Sequence, residues 1–129
     1  MADAPAPKMI FVNLPVTDLP AAIAFYEAVG AVRNNDFADD SAQMISFSET
    51  IHAMLLTHER FAGFTPRKIP NAHETAQVLL CLSETSRDAV DATVDRALAA
   101  GLSRFLKFNL LEVFWDDYVR TARALSLIH

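Results

Sequence analysis

Glu112 stands in the stretch NLLEVFWDD, Asn109 to Asp117, as one carboxylate among large apolar residues. In a strand it shares a face with Leu110 and Phe114, an apolar setting that raises a carboxyl pKa and suits a general acid or base near neutral pH. The plainer reading is a carboxylate at a sheet edge or paired with an arginine, since structural ion pairs perturb acids too. His52 shares strand parity with Met54 and Leu56; it can bind a substrate, pair with Glu112, or serve as a hydrogen-bonded wall residue. Asn13, on the same side of its strand as Phe11, can orient a substrate carbonyl or satisfy backbone groups. His58 and His73 flank a long connection that carries Arg67 and Lys68, a set that can close over an anion or simply be solvated.

Other chemistries lack their residues. The sequence holds no Gly-rich phosphate loop, no nucleophile elbow and no Cys/His metal cluster. Cys81 is the single cysteine, so no intrachain disulfide forms, and a thiol within VLLCL reads as a small buried hydrophobe in a reducing compartment. The net charge of −5 comes from 16 acidic and 11 dispersed basic residues, a poor match to a nucleic acid backbone. MADAPAPK lacks the basic and apolar segments of a secretion signal, and no apolar run approaches the roughly 20 residues of a spanning helix. The expectation is a soluble, cytoplasmic protein with neither nucleic acid nor membrane as partner. With 129 residues and 52% hydrophobic content, residues 1–129 are enough for one domain with a sizeable core.

The elements that must position these groups follow from periodicity. MIFVNLPV reads as a strand, and TDLPAAIAFYEAVG then changes to helical spacing with Leu19, Ala22, Ile23, Tyr26 and Val29 on one face. Asp18 is the N-cap, Pro20 lies in the first turn and Gly30 closes the C-terminus. AVRNNDF, AQMISFS and IHAMLLT alternate as an antiparallel meander, giving βαβββ. In HERFAGFTPRKIPNAHE two prolines and a glycine break regular structure, and Phe61 and Phe64 are expected to pin the segment to the core. TAQVLLCLS then reads as a strand and SRDAVDATVDRALAAG as a helix, with Ser86 as N-cap, Gly101 as C-cap and Ala89, Val90, Val94, Ala97 and Leu98 on one face. A second strand–helix pair thus copies the first. Its continuation is short: 24 residues separate Gly30 from Met54, but 11 separate Gly101 from Glu112. The tail DDYVRTARALSLIH has helix-like spacing.

The order of these signals, a strand, VTDL at the helix start, AFY in mid-helix, Gly30-Ala31-Val32 after it and a second pair ending in ALAAG, resembles the glyoxalase / bleomycin-resistance / extradiol dioxygenase group, the vicinal oxygen chelate (VOC) superfamily. LLEVFWDD is similar to that group's late strand. The resemblance covers residues 8 to 102 well and the remainder poorly, so that residues 102–129 read as a divergent C-terminus. It implies an α+β fold with paired βαβββ modules, residues 8–58 and 75–129, forming an open, cup-shaped mixed sheet, the second module short or rearranged. It also implies a homodimer and a divalent metal such as Zn, Ni, Mn or Fe, held by four inward strand positions. Here those positions fall on Phe11, Met54, Gln77 and Glu112, so one of four is a good ligand, with His52 a possible replacement.

A catalytic divalent ion needs about three ligands of the His, Asp or Glu type. Phe and Met supply no hard donor and Gln only a neutral oxygen. Three classes therefore stand. The first is a VOC protein that binds a small apolar molecule in a cup lined by Phe11, Asn13, His52, Met54, Leu56, Gln77 and Leu79, without chemistry. The second is a metal-dependent lyase, isomerase or dioxygenase using Glu112. The third is a non-catalytic, dimeric structural or interaction protein.

Overall fold

The computed structural model describes residues 5–72, 74–75, 77–78, 82 and 84–100. The first helix begins where Asp18 leaves the extended conformation and its Oδ1 accepts the Ala21 N–H at 3.0 Å. This helix, α1 (Leu19–Ala28), carries a proline in its first turn, where a missing donor costs nothing. It ends at a six-to-one hydrogen bond from Ala31 N–H to Tyr26 C=O at 2.9 Å and one from Gly30 N–H to Glu27 C=O at 3.1 Å. That pairing requires Gly30 to take φ +104°, a conformation that L side chains rarely adopt.

Strands β1 (Ile10–Val16), β2 (Val32–Asp39), β3 (Ala42–Ser46) and β4 (Ile51–Thr57) form one mixed sheet in the order β1-β4-β3-β2. β1 runs parallel to β4, from Ile10 opposite Ile51 to Val16 opposite Thr57, and the other two pairs are antiparallel. Side chains close the hairpins. Asp39 Oδ1 accepts from both the hydroxyl and the N–H of Ser41, each at 2.7 Å. The Ser41 hydroxyl above all, then its N–H, holds the Asp39 carboxyl below its ordinary value. Ser48 Oγ accepts from Thr50 and Ile51 N–H in the next turn. In β2 the register shifts between Asn34 and Ala38. This bulge interrupts an outer strand and makes it a poor template for further pairing.

Alternation then sorts the faces. Leu14 and Val16 of β1, Ala53 and Leu55 of β4 and Ile45 of β3 join Leu19, Ile23, Phe25 and Tyr26 of α1 in one core cluster. The cluster is completed by α3 (Arg87–Ala99), which contributes Val90, Val94 and Ala97. Ser86 Oγ caps α3 by accepting from Ala89 N–H. Arg96 docks α3 to α1: its Nε donates to Ala28 C=O at 3.1 Å and its Nη2 to Thr93 Oγ1, which in turn donates to Glu84. The fold is α+β with a mixed sheet; α1 covers one face and α3 packs against α1.

The connection after β4 departs from expectation. Its first five residues form α2 (His58–Ala62), capped by Thr57 Oγ1 at the Arg60 N–H. The breakers Gly63 and Pro66 lie beyond this turn and do not prevent it. Phe61 is half-buried but Phe64 is 69% exposed, so only one of the two phenylalanines packs inward. In the expected strand 75–83, Gln77, Val78 and Leu82 carry no strand pairing, and residues 76, 79–81 and 83 lie outside the described residues. The helix of the second pair ends at Ala99 with Ala100 as C-cap. Gly101, the late strand with Glu112 and the helix-like tail fall outside the described residues.

Two substitutions test this framework by urea unfolding. Gly30→Ala meets no heavy atom within 4 Å, so its expected loss of about 1–2 kcal/mol arises from backbone conformation alone. Leu55, fully buried in the core cluster, is expected to cost about 2–5 kcal/mol when changed to Ala. A neutral Gly30→Ala would show that the left-handed turn is not required.

Candidate functional site

Because β1 and β4 run in register, their residues of like parity share the face opposite α1. Phe11 pairs with His52 and Asn13 with Met54, while β3 adds Ser46 beside His52 and Met44 beside Met54. Leu56 continues the same face and is buried. The Phe11 and His52 rings stack with centroids 5.0 Å apart and an 18° interplanar angle.

His52 is 5% exposed and both of its ring nitrogens are engaged. Nε2 lies 3.2 Å from Glu49 C=O and Nδ1 lies 2.8 Å from Ser46 Oγ. A carbonyl only accepts, so Nε2 carries the proton, and in the uncharged ring Nδ1 accepts from the serine hydroxyl. The imidazole is therefore a satisfied wall residue with no free lone pair.

A cleft opens elsewhere, beside β1. It has a volume of about 370 Å³ and touches the four consecutive residues Val12, Asn13, Leu14 and Pro15. Neighbours along a strand point to opposite faces, so a space that meets all four lies along the strand's edge. The ladder agrees: Ile10 N–H donates to Thr50 C=O at 2.8 Å. In a parallel pair the inward backbone groups then belong to Ile10, Val12, Leu14 and Val16, and the outward ones to Phe11, Asn13 and Pro15. Pro15, which has no N–H, stands where a strand tolerates it, with its nitrogen facing away from the ladder.

Across the cleft stand Phe61, Thr65, Arg67, Lys68, Ile69 and Pro70, together with Gln77 and Val78. Thr65 Oγ1 accepts from Arg67 N–H at 3.1 Å, and Gln77 Nε2 donates to Pro70 C=O at 2.9 Å. That bond fixes the amide orientation of Gln77 and leaves its buried Oε1 without a hydrogen-bond partner among the described residues. A neighbouring recess shares Asn13, Phe61 and Thr65 and has Phe64 at its rim.

Of the expected cup wall, then, Asn13 and Gln77 meet at this cleft, while Phe11, His52, Met54 and Leu56 share a strand face without lining it. Leu79, His73 and Glu112 lie outside the described residues. Arg67 and Lys68 line the cleft, and His58, whose Nε2 is buried without a hydrogen-bond partner among the described residues, does not. The partners of His52 and the contribution of Ile69 and Pro70 were not read from sequence. Ser46 lies across a hairpin from His52, and hairpin register is the signal that finds it. Among the described residues no three His, Cys, Asp or Glu side chains converge to hold a metal ion.

The tautomer of His52 is directly measurable. Long-range ¹H–¹⁵N correlation is expected to show Nε2–H in the uncharged ring, and Ser46→Ala is expected to cost about 1–3 kcal/mol by orphaning a buried acceptor. An Nδ1–H tautomer would rule out this hydrogen-bond pair.

Among solved structures the chain is similar to hypothetical protein SA1046 from S. aureus, at 24% identity across 76% of this chain and 72% of that chain, with a TM-score of 0.60. No family model matches the chain. A search of curated proteins also finds no match. What the likeness to SA1046 establishes is a shared fold.

Proposed function

We propose that this chain is a small-molecule-binding protein of the glyoxalase / bleomycin-resistance / dioxygenase (VOC) type, which works without that superfamily's complete metal set. The observation that carries the reading is the cleft beside β1: a volume of about 370 Å³ with mostly apolar walls and a few polar points at Asn13, Gln77, Arg67 and Lys68. Pockets of ~300–1,000 Å³ built this way are the usual form of small-molecule sites. The order β1-α1-β2-β3-β4 with β1 parallel to β4 supports one VOC module. On this reading α3 belongs to a second, shortened module within residues 75–129, in a single cytoplasmic domain.

The superfamily's metal fits these residues poorly. Phe11 offers carbon, Met54 a thioether, and Gln77 a single neutral amide oxygen. His52 has both nitrogens occupied. Only Glu112 brings a charged oxygen donor to the slot that the resemblance implies, and no reaction step is assigned to a metal here.

A homodimer accompanies the reading. Met9, Ile10, Phe11 and Ile51 are each 40% exposed or more and cluster where β1 and β4 begin. A second copy covering them would remove an apolar patch from water.

Three measurements bear on this. Protein purified without chelator is expected to carry no stoichiometric Zn, Ni, Mn or Fe and to show no thermal shift with them; metal that is lost in Glu112→Ala would favour a lyase or dioxygenase instead. Thr65→Trp, which fills the cleft from an accessible loop position, is expected to weaken small-molecule binding at least tenfold with little change in melting temperature. Sedimentation is expected to give a dimer at micromolar concentration, and a monomer there would remove the interface.

A further inference from the structure

The net charge of this chain is −5, yet the cleft beside β1 carries the opposite sign. Its described lining holds two cations, Arg67 and Lys68, and no carboxylate. Three other basic residues are engaged: Arg33 pairs with Glu27, Arg60 lies 3.8 Å from Asp39, and Arg96 donates to Ala28 C=O. Arg67 and Lys68 form no ion pair among the described residues.

The loop that presents them is held at both ends. Pro66 and Pro70 bracket the pair and restrict its backbone. Thr65 Oγ1 accepts from Arg67 N–H at one end, and Gln77 Nε2 donates to Pro70 C=O at the other. A restrained backbone has less loop-ordering entropy to lose when an anion binds, so the remaining cost lies in the rotamers of the two side chains. Val12, Leu14, Pro15, Phe61 and Ile69 supply the apolar floor and walls of the same cleft.

From this juxtaposition we infer that the cleft takes a small organic carboxylate, its apolar body against the floor and its single anionic group at Arg67 and Lys68. The inference rests on the small-molecule reading above and adds the charge class of the ligand. A planar guanidinium matches the two oxygens of a carboxylate. Phosphate sites typically draw on arrays of backbone N–H groups, and this edge of β1 is poor in them because Pro15 has none. No glycine is among the described lining residues.

The test uses the full chain with 4-phenylbutyrate and its uncharged analogue 4-phenylbutanamide, followed through the side-chain amide resonances of Asn13 and Gln77. The acid is expected to bind about tenfold more tightly than the amide. R67Q/K68Q should abolish that difference while keeping amide binding, which also reports that the variant is folded. Raising salt should narrow the difference, since both cations are exposed, and R33Q should leave it intact. Equal affinity for acid and amide would overturn the carboxylate assignment and leave the small-molecule reading standing. Inorganic phosphate that displaces the acid with equal affinity would also overturn it. If neither probe moves the Asn13 or Gln77 signals, both the inference and the small-molecule reading fail.

Discussion

The parallel ladder between β1 and β4 is the contact on which the rest of the molecule depends. Two parallel strands cannot be joined by a hairpin, so the chain between them must travel to the other end of the sheet. Here α1, β2 and β3 make that journey, and α1 covers the face it crosses. The register of Leu14 with Leu55 sends those side chains toward Phe25 and Tyr26, while Phe11 and His52 turn to the opposite face. A slip of one residue would exchange the two sets, placing an imidazole against the aromatic core and leucines outside. Seven residue pairs thus decide both the core and the chemistry that can face away from it.

The same ladder creates the cleft. With β4 on one side of β1, the groups of Asn13 and Pro15 on the other side face the loop of residues 65–70 and the segment at Gln77 and Val78. A strand edge is an exacting place to bind a ligand, because it presents backbone groups that must be met or left in water. Pro15 removes one donor there, and its ring adds apolar surface. The polar demands of the site therefore fall on the side chains of Asn13, Gln77, Arg67 and Lys68, which differ from each other in charge as well as in reach.

What could be read ahead from the sequence was what is decided locally. Asp18, Pro20 and Gly30 mark α1 because caps act over three or four residues, and β2, β3 and β4 announce themselves by alternation. The short helix α2 was hidden because Gly63 and Pro66, read as breakers of the whole connection, act only after its single turn. Phe61 and Phe64 looked equivalent, yet three residues of separation put one against the domain and one in solvent. The site was less legible than the fold. Asn13, Gln77, Arg67 and Lys68 were all singled out as residues that can bind, but their meeting is a long-range event between a strand edge and a proline-bracketed loop. The hydrogen bonds of His52 to Ser46 and Glu49 depend in the same way on hairpin register, which composition does not reveal.

Those two hydrogen bonds shift the weight of function within the sheet. Among the described residues His52 is the one histidine on this strand face, and recruiting it as a metal ligand would require a free ring nitrogen. Freeing Nδ1 leaves the Ser46 hydroxyl without its acceptor; freeing Nε2 leaves the Glu49 carbonyl without its donor. Either loss costs about 1–3 kcal/mol where the orphaned group is buried, and Phe11 stacked on the ring resists the rotation that could find a compromise. A metal ion could offset such a cost only with further hard donors alongside, and Phe11 and Met54, its neighbours on this face, have none. The strand face around His52 is built to be stable in its present arrangement. At the edge of β1, by contrast, the described residues include two cations that form no ion pair and an amide oxygen without a partner, bonding capacity that a ligand could take up.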